Sequence, residues 1–145
     1  MSTQTSIFQN GAISPEFIAK CITELQSQIR VGGHDIFLGQ VRADEKEGKK
    51  VGAIVYTAYE EMANKKAHEI AEKAVADHGL SSLQIYHSLG EVKAGEICLF
   101  VFASAPHRKE VFVGLNQAVE ALKAELPVFG KEVWSDASST WKVNQ

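Results

Sequence analysis

The chain predicts an α+β fold, with helices layered in two-layer fashion on a mostly antiparallel sheet. Three observations carry that prediction. Three helical patterns are separated by strand-like segments rather than by regular βαβ units. Two of those segments flank the short turn Lys93-Ala94-Gly95, which makes an antiparallel hairpin. Directly after the apolar run 96–103, Val111, Phe112, Leu115, Val119, Leu122 and Leu126 recur at helical spacing.

The elements follow in order. A short strand is expected around 6–9. Ser14 then reads as an N-cap with Pro15 at the first helical position, where its missing N–H costs nothing. Phe17, Ile18, Cys21, Ile22, Leu25 and Ile29 give that helix one apolar face. Gly32-Gly33 leads into a strand over 34–42, the charged stretch 43–50 reads as a mobile loop, and 51–59 is a further strand. A helix over 60–78 is closed by Gly79; its apolar positions are mostly Ala, with Met62, Ile70 and Val75, so it should pack closely on a neighbour. Strands at 83–89 and 96–104 precede the long helix, which Pro127 stops. Trp134 and Trp141 in the tail are too bulky and apolar to leave loose, and should fold back onto the domain or a partner.

The totals bound the function. With 145 residues, 45% of them hydrophobic, the chain is long enough for one cored domain, residues 1–145, and too short for two. A net charge of -3 and a pI near 5.9 argue against a general nucleic-acid binder. Any anion site must therefore be local. Cys21 and Cys98 form no CxxC pair and are expected to be reduced core residues. No basic, apolar leader begins the chain and no stretch could span a bilayer, so a soluble, cytoplasmic protein is expected.

The candidate chemistry is cationic. Ser104-Ala105-Pro106-His107-Arg108 places an imidazole and a guanidinium at a helix start, where unpaired N–H groups already favour an anion. At about 100° per residue, Arg108 projects onto the apolar stripe of that helix, which demands either a polar pocket or an ion pair, for which Glu60 and Glu61 are the candidates. Lys123 stands sixteen residues beyond His107, about 24 Å along the axis at ~1.5 Å per residue. One small ligand cannot touch both from one straight helix. Either they serve separate sites or two copies of the chain share a pocket. Arg42 ends a strand in which Gly39 marks a bulge or a close approach. Lys131 follows Phe129-Gly130, and a lysine beside other cations can serve as nucleophile or base. His34, His68, His78 and His87 show no metal-ligand spacing and read as structural or exposed; no metal is expected.

Taken together, Phe37-Leu38-Gly39-Gln40-Val41-Arg42, Tyr56-Thr57-Ala58-Tyr59-Glu60-Glu61-Met62-Ala63, His87-Ser88-Leu89-Gly90 with Gly95-Glu96, Ser104-Ala105-Pro106-His107-Arg108, Lys123 and Pro127-Val128-Phe129-Gly130-Lys131-Glu132 resemble the large, catalytic subunits of molybdopterin synthases. The resemblance runs from about residue 5 to Trp141. It implies an α/β-hammerhead-type fold and a central homodimer, with a small ubiquitin-like sulfur-carrier subunit at each end of a heterotetramer. The carrier's C-terminal Gly-Gly thiocarboxylate would enter this subunit's pocket and add two sulfurs in turn to cyclic pyranopterin monophosphate, making the dithiolene of molybdopterin. No cofactor of the chain's own is implied. Arg42, His107 and Arg108 would hold the substrate phosphate, with His107 and Arg108 facing the other chain's Lys123. Lys123 would be the catalytic lysine and Lys131 its helper, both also binding substrate.

One departure stands out. The family pattern carries a lysine directly after the aromatic, and here Gly130 occupies that position, with Lys131 one residue later. A glycine-assisted shift would let Lys131 fill the role. Lys142 is the nearby candidate for a basic residue reaching across the dimer. The rival reading is a dimeric binding module, without chemistry, for a phosphorylated metabolite or a carrier tail.

Overall fold

The computed structural model describes residues 4–143. Met1–Thr3, read above for a leader, lie outside the described residues, as do Asn144 and Gln145. The element order is β1 (Phe8–Asn10), α1 (Pro15–Leu25), β2 (Gly33–Gln40), β3 (Glu45–Lys46), β4 (Lys49–Ala58), α2 (Glu60–His78), β5 (Ser82–Lys93), β6 (Ile97–Ala105), α3 (Arg108–Glu125), β7 (Val128–Trp134) and β8 (Ser139–Trp141).

The strands form one mostly antiparallel sheet in the order β2-β6-β5-β4-β7-β8, with β3 paired to β4 and the short β1 parallel to β5. The α+β class is therefore as the sequence reads. β5 joins the two halves of the sheet. Its first residues pair with β6 up to His87, and its last pair with β4 from Gly90 onward. Gly90 has φ +83°, which lets the strand change course between them.

β6 shows why both faces of the sheet are covered. Leu99, Val101, Ala103 and Ala105 pack with Ala67, Ile70 and Ala74 of α2 and Val111, Leu115, Ala118 and Leu122 of α3. The alternate residues, Phe100 and Phe102, pack with Ile13, Ile18 and Cys21 under α1. The small residues expected on α2 are buried at Ala63, Ala67 and Ala74, the last two in the core shared with α3. A Cβ on Gly114 of α3 would meet the Leu80 side chain at 2.8 Å.

Ser14 caps α1 as its position suggests, its Oγ accepting from Phe17 N–H at 3.1 Å, with Pro15 at the helix start. Ser14→Ala should cost about 1 kcal/mol, read by chemical denaturation. Gly79 closes α2 in the left-handed conformation, φ +64°.

Three expectations are corrected. Ile29 is 92% exposed, because α1 ends at Leu25 and the chain turns so that Gly32 N–H can bond Ala105. Met62 and Phe112 are exposed, because the buried stripes run through Ala63, Ala67, Ile70 and Ala74 and through Val111, Leu115, Ala118 and Leu122. The charged stretch is no mobile loop. It is a hairpin, Glu45 pairing Lys50 and Lys46 pairing Lys49, turned by Glu47 and Gly48, both at positive φ. The tail folds back onto the domain as expected, β8 pairing β7; Trp134 packs on the core and its Nε1 donates to Thr140 Oγ1 at 2.9 Å, while Trp141 is 61% exposed. Both cysteines are free and buried, as read.

Candidate functional site

A groove of about 1010 Å³ lies where β2, the β3–β4 hairpin and the β7–β8 end of the sheet meet the C-terminal end of α3. Its walls bring together three candidate cations, Arg42, Lys123 and Lys142, beside the strand residues 37–40. Lys123 reaches it from the last turn of α3 and is exposed. Arg42 is exposed and contacts Asp44 at 3.4 Å, a surface contact worth little. Lys142 enters because its N–H bonds Gly130 O at 2.8 Å, tying the tail to β7. Glu132 and Trp134 complete the β7 side.

Gly39 is a packing requirement. The β2–β6 register shifts between Gly39 and Gln40, and a Cβ on Gly39 would sit 3.0 Å from Leu99 Cβ. The resulting bulge places this backbone along the groove.

Lys131 is not in the groove with Lys123. The β4–β7 register runs without a shift from Val128 to Val133, so Gly130 introduces no displacement. Strand alternation then turns Lys131 away from Glu132, and its Nζ lies 5.5 Å from the Trp141 ring centre. The groove-side position belongs to Gly130 itself, and its space is filled. A Cβ there would meet Ile54 Cγ2 at 2.9 Å and Tyr56 Cε1 at 3.2 Å.

His107 and Arg108 stand at the opposite end of α3 from Lys123 and outside the groove. Arg108 is exposed, contrary to its wheel position, and among the described residues it has no carboxylate partner, Glu60 and Glu61 included. The backbone of Arg108 lies against Gly33 at the start of β2, where a Cβ would stand 3.8 Å from Arg108 Cα, but the side chain stays exposed and the buried stripe of α3 begins at Val111. The turn before it is held tightly. Gly32 leaves no room for a side chain, since a Cβ there would lie 2.1 Å from Pro106 O.

His87 reads from sequence as structural or exposed, and the structure places it in the interior of the sheet. On β5 it is half-buried, with its ring edge-on to Tyr56 at 5.0 Å and to Phe8 at 6.4 Å. Its Nδ1 lies 2.8 Å from Ser88 O, so Nδ1 carries the hydrogen. Burial pushes its pKa down to about 4, with the positive charge of Lys123 adding to the effect. Tyr56 is raised by burial and by the Cys98 thiol beside it. The signal for His87 was its place in a strand whose other same-face residues are apolar.

A pH dependence follows. His87 in the folded chain lies below its ordinary 6.5, so the unfolded chain takes up a proton that the folded one refuses. The stability this contributes is complete above pH ~6.5 and is lost as pH falls from there toward 4. The thermal midpoint should drop between pH 7 and pH 5, and His87→Gln should flatten that slope.

No group of three or more His, Cys, Asp or Glu side chains among the described residues is placed to hold a metal ion. No helix among them is long and apolar enough to cross a membrane.

Comparison with known proteins gives a consistent picture. The family model described as MoaE protein matches residues 10–125. A molybdopterin synthase catalytic subunit of Pyrococcus abyssi is 38% identical over 117 residues, covering 81% of this chain and 78% of that one. One from Drosophila virilis is 39% identical over 115 residues, 78% of this chain but 33% of the relative. The crystal structure of molybdopterin synthase from Staphylococcus aureus superposes with a TM-score of 0.82 at 27% identity, covering 98% of this chain and 99% of that one. A complex of subunits 1 and 2 of molybdopterin-converting factor from Helicobacter pylori shares the fold, with a TM-score of 0.80 at 20% identity over 95% of this chain and 90% of that one.

Proposed function

Since this chain belongs to the MoaE protein family, we propose that it is the catalytic subunit of a molybdopterin synthase, a sulfurtransferase that builds the dithiolene of molybdopterin. The observation that carries this reading is the groove in which Lys123, Arg42 and Lys142 converge on the 37–40 backbone. An open, extended groove of that kind suits the C-terminal Gly-Gly tail of a small ubiquitin-like carrier, and its cations suit an anionic thiocarboxylate and a phosphate. The substrate is cyclic pyranopterin monophosphate, which receives two sulfurs in turn.

The roles follow from position. Lys123 is the catalytic lysine, polarising the thiocarboxylate carbonyl and moving protons as the cyclic phosphate opens. Arg42 holds phosphate from the same groove. His107 and Arg108, exposed at the far end of α3, serve the pocket of a second copy, which makes the working unit a homodimer with a carrier at each end. Lys131 assists from the outer side of β7 through substrate or carrier contacts, since its own chain does not carry it to Lys123. Residues 1–145 act as one domain in the cytoplasm.

One feature favours a second reading, a binding module without chemistry: Gly130 stands where the family pattern has a lysine. Incubating the chain with thiocarboxylated carrier and precursor separates the two. The synthase yields molybdopterin and carrier carboxylate, whereas a binding module leaves the sulfur on the carrier.

A further inference from the structure

Trp141 stands at the junction of two cavities. It lines the groove, and it also lines a smaller apolar pocket of about 470 Å³, together with Tyr59, Phe129 and Lys142. An aromatic side chain at such a junction gives both cavities a defined shape only if it is held still. β8 alone holds it poorly, being a three-residue edge strand paired only to β7, and Trp141 is 61% exposed.

Lys131 supplies a hold on the ring. It is the direct cross-strand partner of Trp141 in the β7–β8 register, so the two side chains share a face. Its Nζ lies 5.5 Å from the centre of the indole, close enough for the ammonium to be drawn to the negative face of the ring. Among the described residues no carboxylate forms an ion pair with this ammonium. The backbone on either side of Trp141 is tied down separately. Thr140, on the other face of β8, accepts from Trp134 Nε1 at 2.9 Å, and Lys142 N–H bonds Gly130 O at 2.8 Å. What remains to be set is the orientation of the indole, and Lys131 is the charged group against it.

We propose that Lys131 is a positioning residue for Trp141: its ammonium pins the indole as the wall shared by the groove and the apolar pocket, so that the carrier tail meets a preformed surface. Ordering the ring in advance removes part of the cost of immobilising it on binding. The contribution of Lys131 is therefore to carrier affinity rather than to the chemical step, and it does not require the side chain to reach Lys123. Arginine would keep the charge and stack on the ring, whereas methionine would keep the apolar stem and lose the attraction. The inference rests on the proposed reading of the groove as the site of the carrier tail.

Kinetics with the carrier and NMR on the chain alone test it. Lys131→Met should raise KM for thiocarboxylated carrier about 2- to 5-fold, the range of an exposed cation–π contact, with a smaller change in kcat. Lys131→Arg should restore KM. In a Trp141→Ala background, Lys131→Met should add no further rise, because the lysine acts through the ring. In the free chain, the Trp141 indole N–H should show a lower heteronuclear NOE in Lys131→Met, restored in Lys131→Arg. An unchanged indole NOE in Lys131→Met, an undiminished KM rise in the Trp141→Ala background, or a loss confined to kcat overturns the inference. If the unsubstituted chain makes no molybdopterin, the proposed function fails, while the indole measurement still decides whether Lys131 holds Trp141.

Discussion

Lys123→Ala should abolish molybdopterin formation from precursor and thiocarboxylated carrier while leaving the proposed dimer intact. The expected loss is roughly 10²- to 10⁴-fold in turnover, the range associated with removing a positioned acid–base group. The fold has little stake in this residue. Lys123 is exposed, and its contribution as a cation in the last turn of α3 is about 0.3–1 kcal/mol. Nor do the β7 positions 130 and 131 line the groove. Lys131 lies across β7 against Trp141, and Gly130 offers no side chain. Product formation and size in dilute solution measure the two halves of this expectation. Turnover like that of the unsubstituted chain would remove Lys123 from the chemistry.

The fold was largely legible because its local signals agree with its packing. Ser14-Pro15 starts a helix, Gly79 ends one, and the apolar run over 97–105 makes a central strand buried on both faces. The misses occur where tertiary demands override a local pattern. Ile29 continues the period of α1, but pairing of Gly33 with Ala105 takes the chain out of the helix first. The hairpin at 45–50 hid behind its charge, although Glu47-Gly48 is a reasonable tight-turn pair.

The site was legible as a set of residue types and less so as a geometry. Arg42 and Lys123 do meet in one groove. A helical wheel puts Arg108 on the buried stripe, but at the helix end only the backbone meets the sheet, at Gly33, and the side chain is exposed. Lys131 was offered as a stand-in for position 130, a substitution that strand alternation forbids without a bulge. His87 reads from sequence as structural or exposed, because the rings that bury it, Tyr56 and Phe8, come from strands distant in sequence.

The separation of His107 from Lys123 makes the second large prediction. Both belong to α3, one as its N-cap and one in its last turn, so a straight helix keeps them about 24 Å apart at ~1.5 Å per residue. If one substrate needs both, the two must come from different chains. His107→Ala and Lys123→Ala should then each give an inactive homodimer. Mixed and allowed to exchange, they form heterodimers in which one pocket carries both substitutions and the other carries neither. With equal mixing, half the dimers are mixed and half their pockets are intact, so activity should recover to about a quarter of that of the unsubstituted protein. Pockets confined to single chains would behave otherwise, because every pocket in the mixture would still lack one residue. Activity of the mixture compared with each parent therefore decides between a shared pocket and two separate cation sites.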